Sequence, residues 1–340
     1  MNNIYGFTRE KLENYFLEIG EKKFKALQVF EWLYQKREKC LENWSNIKKD
    51  IREKIYTDFS FDVPKIVRCE KDTLTRKYLF ELFDKNYIEA VVMYHDYGIS
   101  VCVSSQVGCN MGCAFCESGR LKKVRNLDAF EMVSQLILIE EDIGERISSV
   151  VIMGIGEPLD NYDNVMDFID IINDAKGLAL GIRHITLSTS GLVPKIYELR
   201  DRDIQINLAI SLHAPNDEIR NKIMKVNKVY SISQLIQAIK DYIAHTNRRV
   251  TIEYVMLKEV NDSIECAQEL AHLLYGMNVY VNLIPYNETN HIEFKKSDAK
   301  TISKFCETLK KNGINVTIRK EFGSKISAAC GQLRSKEVER

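Results

Sequence analysis

From about residue 100 the chain alternates short apolar runs with amphipathic stretches, and this alternation constrains the fold more than any other feature. The runs are SSVVIMG (148–154), HITLSTSG (184–191), INLAISLHA (206–214), VTIEYVML (250–257), VYVNLIPYN (279–287) and INVTIR (314–319). Helical stretches at 130–142, 162–173, 232–244, 263–275 and 297–311 fall between them. Short apolar runs separated by helices read as βα units around buried parallel strands, a sheet left open or closed into a barrel. In such folds reactive groups gather at the carboxyl ends of the strands. The polar punctuation obeys this: Gly154, Gly156, Glu157, Ser188, Ser211, His213 and Asn287 follow or end an apolar run.

The chain ahead of this region differs. Residues 1–60 read as helical, with Phe24, Leu27, Phe30 and Tyr34 on one face and Lys22, Lys23, Lys25, Lys36 and Arg37 around it. Those cations are either a solvated helix face or a grip on RNA phosphates. Residues 65–107 look β-rich, and Asp96–Gly98 marks the turn of a hairpin or meander. The expected division is 1–63, a helical accessory domain; 64–98, a β-rich connector; 99–320, the α/β partial barrel; and 321–340, a C-terminal segment.

Composition narrows the class. With 340 residues, 45% apolar and 28% charged, this is the composition of a soluble globular chain. The start, MNNIYGFTREKLENYF, has no apolar signal-peptide core, and no stretch nears the roughly 20 apolar residues of a membrane helix. A cytoplasmic location is expected. Net charge is +0, which leaves nucleic acid open because local patches matter more than the sum. Nine cysteines without a secretion signal point to a reducing compartment, where close spacing means metal or chemistry.

VGCNMGCAFCESG carries that spacing: Cys109, Cys113 and Cys116 form C-x3-C-x2-C. Three thiolates in eight residues can wrap one corner of a cubane cluster and leave one iron open for chemistry. Structural zinc wants four ligands, usually as separated pairs, and no partner pair stands nearby. Cys102 and Cys330, taken singly, read as small buried hydrophobes, as do Cys40, Cys69, Cys266 and Cys306.

The cysteine spacing resembles the radical S-adenosylmethionine (SAM) superfamily. CVSSQVGCNMGCAFC, GIGEPLDNYDNV, ITLSTSGLVPKI, NLAISLHAPND, IEYVMLKEVNDS, VNLIPYN and SAACGQL together resemble the RlmN/Cfr family, over roughly residues 20–335. The resemblance implies a [4Fe-4S] cluster on Cys109, Cys113 and Cys116, with SAM on the open iron. It also implies SAM contacts from Gly156, Glu157, Ser188, Ser211, Leu212, His213 and Asn287. The implied substrate is an adenosine of 23S ribosomal RNA (position 2503), with adenosine 37 of transfer RNA as a further one. GEPL and IPYN look more like the C2-methylating than the C8-methylating branch. A C8-methylating relative, a paralogue with another RNA target, or a non-catalytic iron–sulfur or RNA-binding protein is the alternative; joint presence of Cys102, Glu89 and Cys330 speaks against the last.

The implied chemistry uses two SAM molecules. Cys330 thiolate takes a methyl group by nucleophilic substitution. A deoxyadenosyl radical from the second SAM removes a hydrogen from that methyl, and the carbon radical adds to the adenine. A base, Glu89 or Cys102, takes the ring proton. Cys102 then attacks the Cys330 sulfur, releasing product and leaving a disulfide to be reduced. Glu89 could equally be an exposed strand carboxylate. A flavodoxin or ferredoxin donor and a monomer are implied, with Lys22, Lys23, Lys25 and Arg125 on the RNA surface. The chain departs from the family pattern at Glu117, at Lys122-Lys123, at Lys225-Val226-Asn227 and at Glu288.

Overall fold

A computed structural model of the chain describes residues 1–333 apart from 203, 290, 321, 322, 324, 325, 329 and 330. Each apolar run of the second half becomes a strand: β5 (Ser149–Ile152), β6 (Ile185–Thr189), β7 (Asn207–Ser211), β8 (Val250–Met256), β9 (Val279–Pro285) and β10 (Val316–Ile318). They pair in parallel in chain order. On the other side of β5 lies β4 (Gly98–Cys102), also parallel. β1 (Lys65–Asp72), β2 (Thr75–Glu81) and β3 (Tyr87–His95) lead into β4 as an antiparallel meander. All ten form one sheet with β10 and β1 at its edges, a partial barrel.

The helices that follow the strands are α4 (Ala129–Ile143), α5 (Tyr162–Asn173), α6 (Val193–Asp201), α7 (Asp217–Ile223), α8 (Ile232–Thr246), α9 (Ile264–Leu273) and α10 (Ala299–Lys311). Their starts are written in the sequence as side chains that cap free backbone N–H groups. Ser263 Oγ accepts from Cys266 N at 3.2 Å, Asp298 Oδ1 from Thr301 N at 2.9 Å, and Asn216 Oδ1 from Ile219 N at 3.0 Å. Ser231 and Gln234 cap α8 reciprocally, a capping box.

Ahead of the sheet, α1 (Arg9–Glu18), α2 (Phe24–Phe30) and α3 (Lys49–Asp58) form the expected helical region, and α2 widens into a π-helical turn at Glu31–Lys36. Phe30 and Tyr34 are buried as their spacing predicts, but Phe24 is 54% exposed. The reason is position: it opens the helix, one turn short of the packed surface. Gln35 donates to Ala175 O at 2.8 Å and Lys39 to Glu141 at 3.1 Å, tying this region to α4 and the end of α5. Its buried side chains, from Ile4 to Phe59, join those of the sheet in one continuous core. Among the described residues no helix is long and apolar enough to cross a membrane.

Candidate active site

The three clustered cysteines sit on the loop that follows β4. Cys109 N donates to Leu121 O at 3.1 Å and Cys116 N to Cys113 O at 3.2 Å, so the loop closes on itself. Cys109, Cys113 and Cys116 line one cavity of about 140 Å3. Burial pushes the Cys109 thiol up to about 12 and Cys113 well above the ordinary thiol range, and the neighbouring cysteines add to both. Thiols so placed become thiolates when a metal centre supplies the positive charge. Among the described residues no three His, Cys, Asp or Glu side chains gather closely enough to hold a single ion. A cubane needs less convergence, because each thiolate takes a different iron. The donor set therefore fits a cluster better than zinc.

The carboxyl ends of the parallel strands form the facing wall. Gly154, Gly156 and Glu157 follow β5, Ser188, Thr189 and Ser190 end β6, and Ser211 and His213 end β7; all line the cavity. Gly156 has φ +114°, and a Cβ there would lie 2.7 Å from Gln106 Cβ. The glycine is thus required by close approach to the chain's own segment before the cysteines, besides any approach to a ligand. Glu157 is buried; its Oε2 accepts from Ser190 N at 2.7 Å and its Oε1 from Leu159 N at 3.1 Å. Those bonds fix the carboxylate and leave lone pairs for an ammonium group. Its pKa is raised by burial, against the pull of these donors. Ser190 Oγ is buried with no hydrogen-bond partner among the described residues, a hydroxyl that a ligand can satisfy.

His213 has φ +59°. Its Nδ1 accepts from Val255 N at 3.0 Å, which leaves Nε2 as the donor of the neutral ring. Burial, helped by the nearby Arg220 charge, pushes its pKa down to about 3. Phe115 packs edge-on against the ring with centroids 4.9 Å apart. Arg220, on α7, is fully buried. Its guanidinium donates to Leu212 O (3.0 Å), Ser190 O (2.7 Å), Ser211 O (3.2 Å) and Asn227 Oδ1 (2.9 Å). The same helix accepts from the cysteine loop, Ala114 N to Ile223 O at 2.9 Å. α7 therefore braces the cysteine loop against the strand ends.

Leu212 and Asn287 are not in the cavity lining. Leu212 is fully buried, its N–H donating to Glu253 O at 3.2 Å, and Asn287 lies beyond the end of β9.

Glu89 and Cys102 share one face of the sheet. Strand register sets Glu70, Lys77, Val91, Cys102 and Val151 side by side across β1 to β5, and Glu89 stands two residues from Val91 on the same side. Glu89 is buried, not an exposed strand carboxylate, and Lys77 Nζ lies 3.6 Å from it and 3.5 Å from Glu70. Cys102 packs against the small cluster formed by Val91, Met93, Ile155, Ala328 and Leu333. Cys330 lies outside the described residues. Of the segment around it, Gly331 and Leu333 line the cavity, and Gly331 O accepts from Glu117 N at 2.9 Å.

Two of the four expected RNA-facing cations are committed internally. Lys25 is buried beside Glu21 at 3.6 Å. Arg125 forks onto Glu131 (2.7 and 2.8 Å) and also holds Asp84 at 2.6 Å. Lys22 and Lys23 are exposed. The departures have structural roles too: Lys123 pairs with Asp160 at 2.7 Å, and Asn227 anchors Arg220.

Comparison with known proteins decides the family. Residues 103–274 match the radical SAM superfamily model, and residues 2–60 match the ribosomal RNA large subunit methyltransferase N-terminal domain. A probable dual-specificity RNA methyltransferase RlmN from Enterococcus faecalis is 54% identical, covering 99% of this chain and 97% of that protein. The chain belongs to the RlmN family of radical SAM proteins. A second RlmN, from Acholeplasma laidlawii, is 52% identical over 98% of this chain and 99% of its own length. The crystal structure of a radical SAM methyltransferase from Sphaerobacter thermophilus superposes with a TM-score of 0.92 at 39% identity, covering 98% and 99% of the two chains. This RlmN-family chain thus shares the fold of that methyltransferase over 98% of its length, the radical SAM α/β region and the N-terminal helical region included.

Proposed function

We propose that the chain methylates C2 of adenosine 2503 in 23S rRNA, and adenosine 37 of transfer RNA as a second substrate. The observation that carries the reading is the shared inner face of Glu89 and Cys102, which meets the Cys109–Cys113–Cys116 cavity through Leu333. The dual-specificity names of the relatives support the two RNA classes. The reading takes 1–63 as the accessory domain, 64–98 as the connector, 99–320 as the catalytic domain and 321–340 as the segment that brings in Cys330.

Cys109, Cys113 and Cys116 hold a [4Fe-4S] cluster, which when bound supplies the electron that splits SAM into methionine and a 5'-deoxyadenosyl radical. Glu157 takes the SAM ammonium group, and Gly156, Ser188, Ser211 and His213, which line the same cavity, complete the SAM contacts. Neutral His213 donates from Nε2 without adding charge. Cys330 accepts the methyl group that becomes the bridge to the adenine. Glu89 takes the ring proton, held in place by Lys77. Once the adenine adduct radical has given one electron to an oxidised flavodoxin or ferredoxin and its ring proton to the base, Cys102 thiolate attacks the Cys330 sulfur; the released carbon keeps the C–S electron pair and takes up a proton to become the methyl group, and the resulting disulfide is reopened by a two-electron reductant. A cytoplasmic monomer served by a flavodoxin or ferredoxin fits this cycle.

The test is an anaerobic reaction of the reconstituted enzyme with SAM, reductant and protein-free 23S rRNA, read by nucleoside mass spectrometry against 2-methyl- and 8-methyladenosine. 2-Methyladenosine is expected; 8-methyladenosine alone overturns the regiochemistry. Cys102→Ala is expected to trap a protein–RNA adduct, and free product in normal yield refutes the release role.

A further inference from the structure

The loop that carries the three cysteines has an outer side as well as the side that faces the SAM cavity. Asn110 and Ala114, each next in sequence to a cluster cysteine, are exposed, and Met111 and Gly112 are half-buried. Beside Ala114 the surface sinks into a cavity of about 710 Å3, walled by Arg120, Lys258 and Lys295 and by Glu259 and Glu293. Arg120 Nη1 donates to His291 O at 2.7 Å and fixes this wall to the loop. Electron transfer weakens steeply with distance. A redox protein seated on this turn therefore reaches a cluster on Cys109, Cys113 and Cys116 by a short path.

The charge around the turn is unbalanced. Lys225 lies against it, for a Cβ on Gly112 would fall 3.3 Å from Lys225 Nζ. Lys228 closes the same short helical turn, Lys225–Lys228. Lys122 abuts the loop through its backbone, its carbonyl oxygen 2.2 Å from where a Cβ on Gly108 would be. Arg120, Lys122, Lys225 and Lys228 are all exposed, and none makes an ion pair among the described residues. Lys222, Lys258 and Lys295 are matched by Glu218, Glu259 and Glu288. Against the unmatched cations the cavity wall sets Glu293. Two of those cations, Lys122 and Lys225, stand where the chain departs from its family's pattern. Val229, 66% exposed, adds apolar area beside Lys228. A small apolar contact with a charged rim is the makeup of a non-obligate protein interface. RNA fits less well, because the rings that could stack a base, Phe115, Tyr286 and Phe294, are buried or half-buried in the apolar jacket of the loop.

We propose that this outer face of the cysteine loop is the docking surface of an acidic one-electron carrier protein. Arg120, Lys122, Lys225 and Lys228 meet its carboxylates, which steers the encounter and sets its orientation over Ala114. The carrier's reduced cofactor loses one electron and the bound cluster gains it, with no atom transferred. The inference rests on the reading that a flavodoxin or ferredoxin serves the cluster, and it gives that partner a place.

The test mixes the reconstituted full-length enzyme with a photoreduced flavodoxin, and rapid freezing with EPR of the reduced cluster times the transfer. K225E/K228E is expected to slow it about 10- to 100-fold at low salt, the scale of electrostatic steering. The gap to wild type is expected to close at about 0.5 M KCl, where exposed charges are screened. Photoreduction by deazaflavin, SAM affinity and affinity for an RNA stem-loop are expected to stay at wild-type values. K310E/K311E makes the same charge change at the far end of α10, by the amino ends of the strands, and is expected to transfer as wild type does. Wild-type transfer in K225E/K228E at low salt overturns the proposal. Equal slowing in K310E/K311E overturns it too, since net charge alone would then be at work. Lost RNA affinity with transfer intact would make the patch an RNA surface instead. If neither flavodoxin nor ferredoxin reduces the wild-type cluster while deazaflavin does, the reading of the electron donor fails, and the surface with it.

Discussion

Arg220 is the residue whose removal tests the architecture of the site most directly. It makes four hydrogen bonds from full burial, to three backbone carbonyls and to Asn227. Bonds from a charged donor are worth about 1.5 kcal/mol each at the low end, so the four sum to about 6 kcal/mol. Against this stands desolvation, which pushes the Arg220 pKa down to about 10 and corresponds to about 3 kcal/mol at about 1.4 kcal/mol per unit. Arg220→Met recovers the second quantity and loses the first. A net loss of about 3 kcal/mol follows, at the lower edge of the range for breaking a buried charged contact. The carbonyls belong to Ser190, Ser211 and Leu212, so the strand ends loosen and SAM affinity is expected to fall at least 10-fold. Urea unfolding of the apo protein reads the first effect, and SAM binding to the reconstituted protein reads the second. Arg220→Lys, which keeps the charge and loses the fork, is expected to fall between. A loss below about 1 kcal/mol in Arg220→Met, with SAM affinity intact, would refute the bracing role.

Two further outcomes follow from buried charges. The folded-state pKa of His213 lies near 3, below its ordinary value, so between about pH 6.5 and 3 the unfolded chain binds the extra proton. Stability of the apo protein is therefore full above about pH 6.5 and falls as pH drops, by about 1.4 kcal/mol per unit from this group. Urea midpoints from pH 7 to 5 measure it, and His213→Asn, which tolerates the positive φ, is expected to flatten the dependence; an equal slope in the variant sinks the assignment. Lys77→Met leaves Glu89 in place without the ammonium 3.6 Å away. It is expected to slow methylation at least 10-fold and to displace its pH profile, whereas a loss of stability alone would leave the profile where it was.

Legibility differed between the fold and the site for physical reasons. The parallel strands announced themselves because burial on both faces demands uninterrupted apolar runs. The cysteine loop was legible because three ligands to one cluster must be close in sequence. Arg220 was not, since a single arginine in a short helix reads as surface until its partners, strand-end carbonyls 8 to 30 residues away, are known. Lys77 was equally silent: only the register of β1, β2 and β3 sets it between Glu70 and Glu89. Lys25 and Arg125 could not be told apart from Lys22 and Lys23 because charge in a sequence carries no record of its partner; in the fold they pair with Glu21 and Glu131 of the same chain.

The same register governs where Cys102 points, and Gly98 secures it. Side chains alternate along a strand, so a one-residue slip of β4 would turn Cys102 from the inner face to the outer one. Gly98 pairs with His95 at the turn and has φ +131°, a region that side chains avoid. A Cβ there would fall 2.2 Å from Ser148 Oγ. That hydroxyl is already engaged by Ile99 N at 3.2 Å, and Ser148 N donates to Ile99 O at 2.8 Å, so the start of β4 is fastened to the residue before β5. Gly98→Ala must break this clasp or take up a strained φ, at a cost of about 1–3 kcal/mol. The strand can avoid the clash by slipping, and the expected result is a methyl-transfer defect larger than the stability loss, with adduct accumulating as it does in Cys102→Ala. The double variant Gly98→Ala/Ser148→Gly removes the hydroxyl that the new methyl meets. It is expected to recover release of the product more than stability, because φ remains strained. Equal recovery of both, or normal release in Gly98→Ala alone, would show that β4 keeps its register without the clasp.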